Sequence, residues 1–86
     1  MTYSYEFSPD LDKDLIKIKK KDPVLHEKIM KKVLQIIEKP ELYKPLKYVK
    51  ERTRRVHINP FVLTFEIEEN AVKFLAIEHH DKAYRK

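Results

Sequence analysis

Cysteine is absent from the 86-residue chain, which excludes disulfide scaffolds, thiolate metal sites and thiol nucleophiles. Glycine is absent as well. Any tight hairpin must then draw its turn from Asn, Asp and Pro, and Asn59-Pro60 and Glu68-Glu69-Asn70 are the two segments that offer one. No apolar run approaches the roughly 18 residues of a membrane span. The first residues, MTYSYEFSPD, lack the basic start and apolar block of a signal peptide. A soluble, cytoplasmic protein with no membrane partner is expected. So is a single domain over residues 1–86, since a second core would leave both short of buried surface. Hydrophobic residues make up 42% of the chain, enough for one compact core and too many for a disordered segment.

Charge is present in excess, and its location is informative. The chain carries +5 overall. Between Lys44 and His57, the basic residues Lys44, Lys47, Lys50, Arg52, Arg54 and Arg55 face a single acid, Glu51, so this segment holds the whole excess. A focused cationic stripe suits a polyanionic partner, either nucleic acid or an acidic protein.

The element pattern is β-α-α-β-β-β. Tyr3, Tyr5 and Phe7 alternate with polar residues and predict a half-buried strand. Ser8-Pro9-Asp10 supplies a helix start, and Leu11, Leu15, Ile16 and Ile18 give that helix an apolar stripe. Asp22-Pro23 repeats the start signal. Val24, Leu25, Ile29, Val33, Leu34, Ile36 and Ile37 predict a second helix as far as Lys39, where Pro40 stops it. Two such helices joined by a short turn form an antiparallel hairpin. Three strands follow. The first, Arg54 to Ile58, sets Val56 and Ile58 against Arg55 and His57 on the opposite face. In the second, Phe61, Leu63, Phe65 and Ile67 alternate with Val62, Thr64 and Glu66. The third, Ala71 to Ile77, is apolar at nearly every residue, as a central strand should be. The fold class is therefore α+β: an antiparallel-rich sheet with an N-terminal two-helix hairpin on one face. The polar segment from Asp81 to Lys86 suits a short helical turn.

Four histidines are present. His26 lies off the apolar stripe of its helix and reads as solvated. His57 shares a strand face with Arg55. His79 and His80 stand where the last strand runs out, and Tyr84 follows His80 by one helical turn. Adjacent strand residues point to opposite faces, which disfavours His79-His80 as a metal site. RNA cleavage by a neighbouring 2′-hydroxyl needs a base, cations for the phosphate and an acid for the leaving 5′-oxygen. Imidazoles can serve as base and acid, a guanidinium suits the phosphate, and an aromatic ring stacks on a base. Such chemistry needs no metal or other cofactor. From residues alone the chain is a small basic α+β domain whose imidazoles and cations are consistent both with RNA-directed chemistry and with ordinary surface residues.

Taken in order, Leu46-Lys47, Arg54-Arg55-Val56-His57-Ile58, Phe61-Val62-Leu63-Thr64-Phe65-Glu66-Ile67 and Ile77-Glu78-His79-His80-Asp81-Lys82-Ala83-Tyr84 resemble the RelE/ParE toxin superfamily over nearly the whole chain. That resemblance implies the toxin of a type II toxin–antitoxin pair, with an antitoxin protein as partner. RelE-like members cut mRNA in the ribosomal A site, and ParE-like members act on DNA gyrase. The motif Arg-Xaa-Xaa-His-Ile-Xaa-Pro is most similar to the YafQ branch, which implies His57, His80 and Tyr84 as active-site residues. Arg55 and Lys47 match positions that hold the RNA backbone, with Arg54 able to exchange roles with Arg55. Lys50, Arg52, Arg54 and His79 complete the expected RNA-binding set. Many members carry an Arg on the strand after the turn, where this chain has Val62. The implied function is a ribosome-dependent mRNA endonuclease. The alternatives are a gyrase inhibitor or a homologue that binds RNA or antitoxin without cutting.

Overall fold

A computed structural model describes residues 2–43 and 53–80. Lys47, Lys50, Arg52 and Tyr84, together with the expected turn over 81–86, lie outside the described residues.

Strand β1 (Ser4–Phe7) leads through Ser8 into helix α1 (Pro9–Lys21), and Asp22 separates α1 from helix α2 (Pro23–Ile36). A 3-10 turn (Pro40–Leu42) precedes strands β2 (Thr53–Ile58), β3 (Phe61–Glu68) and β4 (Ala71–His79). Both helix starts carry the expected caps. Ser8 Oγ accepts from the Leu11 N–H at 3.1 Å, and Asp22 Oδ1 accepts from the Leu25 N–H at 3.1 Å. The glycine-free hairpins turn at Asn59-Pro60, through a cis peptide bond, and at Glu69-Asn70, where Glu69 takes a positive φ of 53°.

The sheet order is β1-β4-β3-β2, with β1 parallel to β4 and the other pairs antiparallel. The apolar β4 is thus a central strand and β2 an edge. The helices cover one face, where Leu11, Leu15, Ile29, Val33, Ile36 and Ile37 meet Val56, Ile58, Leu63, Phe65, Val72, Phe74 and Ile77. This settles the α+β architecture expected from the periodicity.

Two helix expectations are corrected. Ile16, Val24 and Leu34, assigned to the apolar stripes, are exposed. Each sits one residue, about 100° of rotation, from the lines Leu11-Leu15-Ile18 and Leu25-Ile29-Val33-Ile36 that face the sheet. Helix α2 ends at Ile36 rather than Lys39. Pro40 has no N–H for the Ile36 carbonyl, and the Ile37 carbonyl accepts instead from the Tyr3 N–H at 2.9 Å.

One irregularity sets the faces of β4. The β3–β4 register shifts between Thr64 and Phe65, so Phe65 pairs with Phe74 while Thr64 pairs with Ala76, leaving Leu75 as the extra residue of a bulge. Alternation reverses there. Val72 and Phe74 face the helices before the bulge, and Ile77 faces them after it.

Candidate active site

The open face of the sheet, away from the helices, carries the residues of interest. On β2, Val56 and Ile58 are buried against the helices, so alternation directs Arg55 and His57 to the open face. His57 pairs with Val62, and Val62 pairs with Glu78. His80, two residues beyond Glu78, has the same parity. Its N–H donates to the Pro60 carbonyl at 2.9 Å, which extends the β3–β4 pairing past the end of β4. The rings of His57 and His80 come together with centroids 5.5 Å apart and planes 34° apart. Without the bulge at Leu75, His80 would share the parity of Phe74 and face the helices.

Val62 forms the floor of this region. Its parity is that of His57 and Glu78, yet it is only 1% exposed. The position where many superfamily members carry a cation here holds a covered apolar side chain.

The two flanking candidates go elsewhere. His79 pairs with Phe61 and sets its ring edge-on against that phenyl, centroids 5.9 Å apart, on the face opposite His80. Arg54 points to the helix side of β2, where its Nη1 donates to the Tyr43 carbonyl at 2.7 Å and the Glu41 carbonyl at 3.4 Å. Arg54 and Arg55 are therefore not interchangeable: one braces the 3-10 turn, and the other shares a face with His57.

That turn contributes to the site in a way the sequence did not announce. Tyr43 packs edge-on against Phe65 in the core, centroids 5.9 Å apart. The Tyr3 hydroxyl donates to the Glu41 carboxylate. Glu41 is held below the usual carboxylate range by that bond first, with Arg54 and Lys39 adding to it, and the Tyr3 phenol is raised by the same bond. Between the turn and β2 lies a cleft of about 340 Å³ lined by Leu42, Tyr43, Arg55, Val56 and His57. No periodic or motif signal marks Leu42 or Tyr43. Among the described residues, no group of three or more His, Asp or Glu side chains is arranged to hold a metal ion, and no helix is long and apolar enough to cross a membrane.

Comparison with known proteins identifies this architecture. Residues 5–84 match the family model described as the ParE toxin of the type II toxin–antitoxin system parDE. The chain is 40% identical over 87 residues to "Putative toxin RelE4" of Methanocaldococcus jannaschii, covering 98% of this chain and 93% of that one. Among solved structures, the YoeB dimer of Staphylococcus aureus superimposes with a TM-score of 0.81 at 20% identity, over 93% of this chain and 99% of that one. YafQ of the E. coli DinJ–YafQ toxin–antitoxin complex does so with a TM-score of 0.67 at 20% identity, over 99% and 100%. At that identity the structures speak for the fold, while the family match and the archaeal relative speak for descent. The chain belongs to the RelE/ParE superfamily of type II toxin–antitoxin toxins.

Proposed function

We propose that this toxin is an endoribonuclease that cuts mRNA on the ribosome, in the cytoplasm, and is neutralised by a cognate antitoxin. The observation that carries the reading is the ring contact between His57 and His80 beside Arg55. Two imidazoles at this separation suit the two proton transfers of one phosphodiester cleavage. The RNA 2′-oxygen attacks the adjacent phosphorus as one imidazole takes its proton, and the 5′-oxygen leaves as the other supplies one. A 2′,3′-cyclic phosphate and a 5′-hydroxyl result. The Arg55 guanidinium holds the phosphate as charge builds on it.

Tyr84 would stack on or orient the substrate, and Lys47, Lys50 and Arg52 would bind RNA backbone, as the resemblance implies. Arg54 and His79, directed to the other face, are left out of the reaction. The antitoxin partner is supported by the DinJ–YafQ complex, whose toxin shares this fold.

The experiment is mRNA cleavage on translating ribosomes by the wild type and by His57→Ala and His80→Ala. Wild-type cutting lost in both variants supports the reading; cutting undiminished in either removes that imidazole from the mechanism. Inhibition of gyrase supercoiling by the purified wild type, without mRNA cleavage, would place the chain with the gyrase-directed members.

A further inference from the structure

The cleft beside the histidine pair has a wall that the cleavage chemistry does not use. Leu42 is 75% exposed, the most exposed large hydrophobic side chain among the described residues. Its backbone is nonetheless firmly held. Arg54 bonds the carbonyls on either side of it, at Glu41 and Tyr43, the Tyr3 hydroxyl bonds the Glu41 carboxylate, and Tyr43 is packed on Phe65. A bare leucine fixed this way is a preformed apolar surface rather than a loop tip. Across the cleft stand Arg55 and His57.

We propose that this cleft is a nucleobase subsite. Resting on the nuclease reading above, it assigns Leu42 and Tyr43 to the base of the nucleotide whose phosphate Arg55 holds. The chemistry of the lining selects that occupant. A nucleotide joins an anion to a flat, weakly polar ring, and the cleft joins a guanidinium to an apolar wall at a volume within the range of small-ligand sites. A free phosphate would leave Leu42 unused, and a purely apolar group would make no use of the Arg55 guanidinium on the opposite wall. Because the turn is braced before any ligand arrives, little ordering cost attends binding. Leu42 and Tyr43 thereby become determinants of which base lies next to the cut.

The test is NMR of the full chain with leucine methyls and all nitrogens isotopically labelled, titrated separately with 3′-nucleotides of the four bases, ribose 5-phosphate and inorganic phosphate. The Leu42 methyls should shift with nucleotides and stay in place with the two base-free phosphates, while Arg55 and His57 signals respond to all. The variant Leu42→Ser, at an exposed position that leaves the core intact, should bind the favoured nucleotide about tenfold more weakly, the loss of an apolar contact, and ribose 5-phosphate as well as the wild type. Leu42 methyls indifferent to nucleotides that shift Arg55, or equal nucleotide affinity in Leu42→Ser, would overturn the subsite. The binding readout is independent of turnover. A protein that shifts Leu42 but cuts nothing keeps the subsite and loses the reaction. One that cuts with the same base preference in Leu42→Ser keeps the reaction and loses the subsite.

Discussion

Ser8 Oγ donates to the Leu75 carbonyl at 2.6 Å while accepting from the Leu11 N–H at 3.1 Å, and the Ser8 N–H donates to the Phe74 carbonyl at 2.8 Å. One serine thus caps α1 and pins the bulge that reverses the alternation of β4. Since that reversal is what brings His80 to the face of His57, Ser8 positions the histidine pair from the far side of the sheet. Ser8→Ala should cost about 0.5–2 kcal/mol in denaturant unfolding, the usual loss for a helix cap, and should also weaken the nuclear Overhauser contact between the His57 and His80 rings. Ser8→Thr, which keeps both an acceptor and a donor, should restore both. A ring contact as strong in Ser8→Ala as in the wild type would show that the bulge holds without its pin.

If the two imidazoles act on one phosphate, their losses cannot add. Removing either should lower the cleavage rate by about 10²–10⁴, and His57→Ala combined with His80→Ala should be little worse than the more damaging single change. Single-turnover cleavage rates decide this. Rate losses that multiply in the double variant would mean independent roles.

Arg54→Ala and Arg55→Ala remove the same charge from neighbouring positions, so any difference between them is geometric. Arg54→Ala takes the donor from the Tyr43 and Glu41 carbonyls and should loosen the turn, seen as faster amide exchange at Leu42 and Tyr43. Arg55→Ala should leave that exchange unchanged and reduce the salt dependence of RNA affinity by about one unit of slope. Identical effects on exchange would contradict the separation of roles across β2.

How much of this was legible in the residues depends on which interactions a periodicity encodes. Alternation placed Arg55 and His57 together and Val56 and Ile58 opposite, because β2 is regular throughout. In β4 the apolar run from Ala71 to Ile77 conceals the bulge: with nearly every residue apolar, a reversal of faces leaves no trace in the pattern. Val62 alternates with Phe61, Leu63 and Phe65 and shares the face of Thr64 and Glu66, yet it is covered, since burial on an open face depends on the neighbouring side chains in register, which sit in other strands. Arg54 matched a basic position in motif, but its partners are main-chain carbonyls of the 3-10 turn, and no side-chain pattern records those. Lys47, Lys50, Arg52 and Tyr84 lie outside the described residues, and their assignments stay proposals.

The link between Tyr3 and Glu41 makes the turn sensitive to pH at both ends of the scale. The bond from Tyr3 holds Glu41 below the usual carboxylate range and raises the Tyr3 phenol. A carboxyl lowered in the folded state contributes at pH above its unfolded value and ceases to contribute as pH falls through the lowered one. A phenol raised in the folded state contributes below its ordinary value of about 10 and ceases to do so as pH rises through the raised one. The brace should therefore hold across neutral pH and release in acid and in strong base. Both groups are on the surface, so global stability should follow only weakly. The sensitive readout is local: the Glu41 and Leu42 amide signals should titrate at both ends in the wild type. In Tyr3→Phe, which has no hydroxyl to donate, the alkaline step should vanish and the acid step should move up toward the ordinary carboxylate range. An acid step at the same pH in Tyr3→Phe as in the wild type would mean that the hydroxyl contributes nothing to holding the carboxylate charged.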